Sequence, residues 1–418
     1  MIIASIDLMN GKAVQLVQGK TKVLEFENPV EIAKKLAVFG PIQIIDLDAA
    51  FGKGDNLEIV KEIAKFAEVR VGGGIRTVQY AKKLIVFGAD KIIIGTKSNK
   101  KFLKQLNKQI PKERIIVALD SKNGFVVKDG WRKSTKQKAE CIIKKLEPYC
   151  SEFFYTCVDN EGLMQGTNIE EIKKLKKLTR NQFSAAGGIS SIPEIVKLNS
   201  IDVDSILGMA LYTRKINLEE AFLQQLRFRN KLIPTIVQDF DTKQVLMLAY
   251  SNKESVLKTF ETGKCFYYSR SRKKLWQKGE SSGNYQQIVR AKADCDYDTL
   301  LYQVKQKNVA CHTGKYSCFS GIKENNASSL NTLFETLRSR KDKMPAESYT
   351  AKLLKNKKLL VEKIREESDE VIEAMKKNDS ENLIWEISDL IYFLATAAIK
   401  QNISQKQIFS ELQRRMKK

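Results

Sequence analysis

The stretch Val-Gly-Gly-Gly-Ile-Arg-Thr at Val71–Thr77 returns as Ala-Ala-Gly-Gly-Ile-Ser-Ser at Ala185–Ser191. Around it the chain repeats in the same order. Asp7 and Asp120 each close an apolar run, Asn56 and Asn168 follow them at nearly equal offsets, and Gly95 has its counterpart in Gly208. Self-similarity at one offset marks an internal duplication. Over the first 226 residues, apolar runs alternate with Lys-rich amphipathic stretches, the pattern of repeated βα units. Eight such runs are read: Ile2–Asp7, Ile42–Asp48, Val69–Gly72, Lys91–Thr96, Arg114–Asp120, Glu152–Val158, Gln182–Gly187 and Ser205–Ala210. Eight strands with intervening helices, built from two half-barrels, predict an N-terminal (β/α)8 TIM barrel over residues 1–226.

Chemistry in such a barrel belongs at the C-terminal ends of its strands. Glycines ahead of a helix let backbone N–H groups close on a phosphate, although glycine also simply makes turns. Gly73 and Gly74 in one half and Gly187 and Gly188 in the other, with Gly95, Thr96 and Gly208 at the following strands, therefore predict two phosphate sites facing each other across the mouth, for a substrate with two phosphates. Asp7 and Asp120, at equivalent strand ends, form a carboxylate pair able to supply and remove protons; the plainer reading is two strand-terminal turn residues.

The segments Ala4–Lys12, Asp46–Ala50, Val71–Thr77, Ala118–Asp120 and Gly130-Trp131 make residues 1–226 resemble the histidine-biosynthesis barrel isomerase that converts the phosphoribosylformimino-aminoimidazole-carboxamide ribotide from aminoaldose to aminoketose. The resemblance implies that Asp7 is the general base and Asp120 the general acid of an Amadori rearrangement, with Thr156 nearby and Trp131 stacking on the imidazole. Three places depart from the family pattern. Gln15 stands where Arg is common, Asp159–Leu163 reads Asp-Asn-Glu-Gly-Leu instead of Asp-Arg-Asp-Gly-Thr, and Met209 follows Gly208 where a basic residue is frequent. These bear on substrate affinity more than on the proton transfers.

From Arg227–Pro234 the pattern changes to a basic connector and then short strand-like runs, opening a small central α+β domain over 227–322. Its densest stretch runs from Ala293 to Cys318. If Asp294–Asp298 is extended, Asp294, Asp296 and Asp298 line one face, and hard oxygen ligands suit Mg2+ or Ca2+. Cys295, Cys311 and Cys318 offer three soft thiolates, one short of a closed structural zinc site, and a Zn2+ with three protein ligands keeps a place for water. The alternative for a lone cysteine, a small buried hydrophobe, fits poorly where so many metal-type residues crowd together. His312, the single histidine, lies inside this stretch. Upstream, Arg270, Arg272 and Lys278 with Ser281, Ser282 and Gly283 could hold a phosphate, or form an ordinary basic surface.

Together these motifs resemble phosphoribosyl-AMP cyclohydrolase across residues 228–322. The resemblance implies zinc-assisted attack of water on the purine carbon beside N1, magnesium at the Asp trio, thiolates drawn from two subunits, hence a dimer, and a catalytic or orienting role for His312.

Lys323–Ser329 reads as a linker, and residues 330–418, with one proline and no glycine, as an all-α helical domain. Glu367 and Glu370 lie one turn apart on one predicted helix, and Glu386 and Asp389 one turn apart in an otherwise apolar second helix. Glu-rich helices are usually solvated faces. Carboxylates buried in an apolar run need a cation, so the second pair points to magnesium and, through it, a polyphosphate. Pro345, Ser348-Tyr349-Thr350, Leu353-Leu354 and Lys363 extend the resemblance to phosphoribosyl-ATP pyrophosphohydrolase, which implies release of pyrophosphate and a substrate contact at Lys363. Phe393 stands where this family often has His.

The 418 residues carry 72 Lys and Arg against 49 Asp and Glu, a net charge of +23. Scattered lysines fit a solvated basic surface or anionic small substrates as readily as nucleic acid. Seven irregularly spaced cysteines argue for a reducing compartment. The opening residues lack a signal-peptide pattern, and no apolar run is read as spanning a membrane. The resemblances name three consecutive steps of histidine biosynthesis, placed along the chain in reverse order of reaction. The expectation is a cytoplasmic trifunctional enzyme acting on phosphoribosyl nucleotides, with Zn2+ and Mg2+, no nucleic-acid or membrane partner, and homodimerisation through the central and C-terminal domains. Two other readings were open: a nucleic-acid-binding protein with a metal knuckle, which requires a closed four-ligand zinc site and stacking aromatics, and a pathway scaffold whose barrel is inactive or takes another substrate.

Overall fold

A computed structural model describes residues 1–128, 130–319 and 330–416. Residues 320–322 of the central domain and the expected linker Lys323–Ser329 lie outside the described residues.

The eight expected runs form eight parallel strands: Ile2–Met9, Ile42–Asp46, Val69–Gly72, Lys91–Ile94, Ile115–Lys122, Glu152–Cys157, Gln182–Ala186 and Asp204–Leu207. They pair in chain order, and the ring closes where Ile3 pairs with Ile206. Apolar side chains fill its interior, with Ile3, Ile93, Ile116, Phe154 and Ile206 in one packed cluster. Toward the N-terminal ends of the strands the filling becomes ionic. The carboxylate of Glu152, 1% exposed, meets Arg70 at 2.7 Å and Lys91 at 2.9 Å and accepts from Ser184 Oγ at 2.7 Å. A buried carboxylate is tolerable only with its oxygens satisfied in this way.

Two hairpins extend the duplication. After the first strand, Lys12–Val17 and Thr21–Phe26 pair antiparallel, and after the fifth, Phe125–Lys128 and Lys133–Ser134 do the same. Both rise from the C-terminal ends of their strands, where Asp7 pairs with Val14 and Ser121 with Val126.

The central domain is a mixed four-stranded sheet in the spatial order Val245–Ser251, Ile233–Asp239, Leu300–Gln306, Gln286–Ala293, with a separate pair Phe266–Ser269 and Lys274–Gln277. Among its described residues one helix, Lys253–Thr262, starts with a reciprocal Asn252–Ser255 capping box and stops at Gly263, whose φ of 70° costs little without a Cβ. Phe222, Leu223 and Leu226, at the end of the barrel segment, pack into this domain's core with Ile233, Tyr267 and Tyr302.

Five helices make up the C-terminal region: Leu330–Lys343, Tyr349–Lys355, Lys357–Lys377, Ser380–Lys400 and Gln405–Met416. Ser380–Lys400 is long and apolar enough, by length and composition alone, to count as a candidate membrane span, which a core helix can also be. Its middle nevertheless carries Glu386 and Asp389, and its second half packs Phe393, Ala395, Ala398 and Ile399 into the helical core. The last helix turns back onto the barrel, where Ser410 Oγ donates to the carbonyl of Ile85 at 3.2 Å.

Candidate active sites

A cavity of about 270 Å³ opens at the C-terminal ends of the barrel strands. Asp7, Asp120, Thr156 and Trp131 line it, together with Gly73, Gly74, Gly95, Thr96, Gly187, Gly188 and Gly208. The duplicated glycines are needed where they stand. Gly73 has φ 105° and a Cβ there would lie 2.1 Å from the Asp46 carbonyl oxygen; Gly187 has φ 95° and would meet the Cys157 carbonyl oxygen at 2.3 Å. The same tight turn is therefore built twice, once in each half.

Burial pushes the Asp7 carboxyl up to about 7, against a weak hydrogen bond from Ser5 Oγ at 3.5 Å that favours the charge. Burial also raises Asp120, and hydrogen bonds from the side chains of Trp131 and Thr156 partly offset the rise. Thr156 reaches it because the two residues are register partners on adjacent strands. Trp131, held at φ 65° in the second hairpin, lies over Gly19 of the first, where a Cβ would come within 2.8 Å of the indole. The two hairpins thus meet above the cavity.

A third carboxylate enters the cavity unforeseen. Glu161 is raised to about 8, first by burial and then by the charges of Asp7 and Asp120. Three carboxyl groups sharing one pocket cannot all ionise cheaply, so the site holds protons near neutral pH. The signal was present: Glu161 follows Thr156 in a segment noted only for its departure from the family pattern.

The other departures also line or border this cavity. The Gln15 side chain is 4% exposed; its Nε2 donates to the Val14 carbonyl at 3.0 Å, and its Oε1 lies where a Cβ on Gly208 would come within 2.9 Å. Asn160 Nδ2 donates to the Gly166 carbonyl at 2.8 Å, bracing the turn beside Gly188. Met209 is buried and begins the short helix after Gly208.

In the central domain Asp294–Asp298 is not extended but turns: Asp294 Oδ1 accepts from the backbone N–H of Asp298 and Thr299, both at 3.0 Å. The turn still gathers Asp294, Asp296 and Asp298 so that one oxygen of each lies within 4.8 Å of the others. Cys311 and Cys318 are in contact. Hydrogen bonds from Thr313 lower the Cys311 thiol, whereas burial and then Cys311 raise Cys318. Cys295 is exposed and forms no metal-type group with them among the described residues. His312 is exposed, with Nδ1 4.0 Å from Cys311 Sγ.

Of the residues expected to hold a phosphate, Lys278 instead donates to the Ala310 carbonyl beside the two thiols, and burial lowers its pKa against their opposing pull. Arg270 lies 3.9 Å over the Tyr250 ring, Arg272 bonds Ser269, and Ser281 and Ser282 are exposed.

In the helical region Glu367, Glu370 and Glu386 come together from the two long helices, again within 4.8 Å. Burial, Glu370 and Asp389 raise Glu367, and burial with Glu370 raises Glu386. Such mutual repulsion suits a hard cation. The apolar run around Glu386 and Asp389 predicts that this pair is buried; the structure differs. Glu367 of the first pair is the buried one at 6%, while Asp389 is exposed, because the first half of Ser380–Lys400 overhangs the bundle with Ile384 64% and Trp385 63% exposed. Lys363 pairs with Glu366 at 2.8 Å. Phe393 is 5% exposed and packs with Leu353 and Leu360, so this position serves the core.

Comparison with known proteins finds three families in order along the chain. The family described as Histidine biosynthesis protein matches residues 1–217, Phosphoribosyl-AMP cyclohydrolase matches 247–320, and Phosphoribosyl-ATP pyrophosphohydrolase matches 330–416. The first part is similar to a Methanocaldococcus jannaschii protein named 1-(5-phosphoribosyl)-5-((5-phosphoribosylamino)methylideneamino) imidazole-4-carboxamide isomerase, 41% identical over 230 residues, which are 53% of this chain and 97% of that protein. The remainder is similar to the histidine biosynthesis bifunctional protein HisIE of Caldanaerobacter subterraneus subsp. tengcongensis, 45% identical over 202 residues (47% of this chain, 98% of that protein), and to that of Aquifex aeolicus, 40% identical over 203 residues (46% and 99%).

Proposed function

Because the chain belongs to the histidine biosynthesis protein family and continues into cyclohydrolase and pyrophosphohydrolase domains, we propose that it carries out three successive reactions on one substrate. It hydrolyses phosphoribosyl-ATP to phosphoribosyl-AMP and pyrophosphate, opens the purine ring of phosphoribosyl-AMP, and isomerises the resulting aminoaldose ribotide to the aminoketose. The observation that carries this reading is the barrel cavity, where Asp7 and Asp120 from equivalent strands stand between glycine turns built twice.

In the barrel, the glycine turns of the two halves bind the two phosphates and Trp131 covers the imidazole. Asp120, whose carboxyl burial raises, donates a proton to the ribose ring oxygen and opens the sugar. Asp7, ionised as pH passes about 7, takes the C2 proton. Thr156 and Trp131 orient Asp120, and Glu161 keeps the shared proton inside the pocket. Gln15 and Asn160 change how the phosphate loops are braced and leave this pair untouched.

In the helical domain Glu367, Glu370 and Glu386 would hold Mg2+, with Asp389 nearby as a further carboxylate, and the donor set fits, being all carboxylate and self-repelling. Magnesium there would neutralise the polyphosphate. Lys363 contributes a further cation at its edge. In the central domain Cys311 and Cys318 would hold Zn2+, Asp294, Asp296 and Asp298 a magnesium ion, and Lys278 stands beside the thiols; zinc would lower the pKa of the attacking water. His312 orients that water, and Arg270, Arg272, Ser281 and Ser282 face the nucleotide phosphate. Cys295 is supplied by a second copy, so a homodimer completes the centre. The exposed Ile384, Trp385 and Met375 are the apolar surface that a second copy covers. Seven free thiols fit the cytoplasm.

The test gives the full chain phosphoribosyl-ATP in one assay and the aminoaldose ribotide in another. Formation of the aminoketose, lost in Asp120→Asn while ring opening and pyrophosphate release persist, is the expected result. No aminoketose from the unmutated chain would leave an inactive or altered-substrate barrel.

A further inference from the structure

The contacts that tie the barrel to the two following domains gather at one end of it. Glu68, just before the strand Val69–Gly72, meets Arg290 at 2.6 Å and Lys292 at 2.9 Å from the central domain. The Ala291 N–H donates to the Val38 carbonyl at 2.8 Å, and Tyr297 donates to Asn199 Oδ1 at 2.6 Å. From the C-terminal helix, Lys406 meets Asp90 at 2.9 Å, and Arg114 donates to Ser410 Oγ at 2.7 Å. Arg414, 8% exposed, donates to the Gln109 carbonyl at 3.1 Å. Each of these barrel residues precedes a strand or ends the helix before one, so both domains sit at the N-terminal ends of the strands. The cavity that holds Asp7 and Asp120 opens at the C-terminal ends.

Among the described residues no path joins the two ends through the middle. The interior is filled by Ile3, Ile93, Ile116 and Phe154 above the buried Glu152 ion cluster, and a strand such as Ile2–Met9 separates the ends by roughly 20 Å. A swinging domain would have to break several partly buried ion pairs and backbone bonds to carry anything around the outside.

We infer that the ring-opened intermediate leaves the chain and reaches the isomerase cavity through bulk solvent. The inference rests on the reading of the barrel as the isomerase. Recapture is favoured by charge, since a protein of net charge +23 attracts a bisphosphorylated anion, and this aid weakens as salt screens it.

The test is isotope dilution. The full chain, with its metals, turns over phosphoribosyl-ATP labelled in the ribose while unlabelled aminoaldose ribotide is present in excess. Passage through solvent predicts that label in the early aminoketose falls by the same fold as the excess, and that the KM for added aminoaldose rises with salt. Undiluted label would overturn the inference and show direct transfer within the chain or across a dimer. Aminoaldose supplied alone is the control: failure to convert it would refute the isomerase reading, an outcome distinct from undiluted label.

Discussion

The barrel mouth and the cysteine stretch solve the same problem, holding charged groups where chemistry needs them, in opposite ways. In the barrel, three carboxyls are sunk in a cavity of their own chain, and the result is proton retention: Asp7 rises to about 7 and Glu161 to about 8. Near Cys311 the groups lie at the surface, the thiols shift in opposite directions, and Cys295 stands outside the group. A duplicated fold can complete a site from its own two halves, because each strand end has a counterpart across the ring. A small open sheet lacks that second wall, and in the reading proposed above a cation and a second copy complete its site.

The sharpest way to break this contrast is at the carboxylate pair. Asp120→Asn should cut isomerisation by roughly 10²–10⁴-fold, the usual worth of a positioned acid, while pyrophosphate release and ring opening, each assayed separately, stay at the level of the unmutated chain. A strong chelator, or Cys311→Ala, should lower ring opening by about 100-fold or more, beyond what loss of a group behind a metal ligand costs. Isomerisation should survive the chelator unchanged; its loss would place a metal in the barrel too.

Smaller effects sharpen the picture. Gly19→Ala forces the Trp131 indole away from its 2.8 Å approach and strains a residue at φ 65°. It should raise the isomerase KM by about tenfold, equivalent to 1.4 kcal/mol, with little change in the other steps. Asp7→Asn should abolish isomerisation yet stabilise the fold at pH 8. The folded carboxyl binds its proton up to about 7 against an ordinary value of 3.8. Ionising it therefore costs stability, a cost absent below pH 4 and complete above pH 7. The variant should gain roughly 4 kcal/mol at pH 8, read as a higher Tm, and little at pH 4.

The barrel was legible because its signals repeat. Glycine turns, strand-final Asp residues and apolar runs each occur twice, so errors in one half are checked by the other, and the eight runs match the eight strands within a few residues. What escaped was long-range or lacked a period. The mouth hairpins Lys12–Phe26 and Phe125–Ser134 carry no strong alternation. Glu161 belongs to the site only because Asp7 and Asp120 are already there. The turn at Asp294–Asp298 could not be told from an extended segment, since alternating Asp residues look the same in either backbone. The exposed half of Ser380–Lys400 escaped for a different reason: an apolar run reveals that it will be covered, not by which chain. The docking of Gln405–Met416 under the barrel rests on single polar residues, Lys406, Ser410 and Arg414, that composition cannot separate from ordinary surface.

The central claim, that one chain performs three consecutive steps, is tested most directly by a single time course from phosphoribosyl-ATP with magnesium and zinc present. Pyrophosphate, the ring-opened aminoaldose and the aminoketose should appear in that order, and Glu386→Gln, Cys311→Ala and Asp120→Asn should each stop the course at a different step. A course in the unmutated protein that ends at the aminoaldose, with none of it converted on longer incubation, would contradict the account.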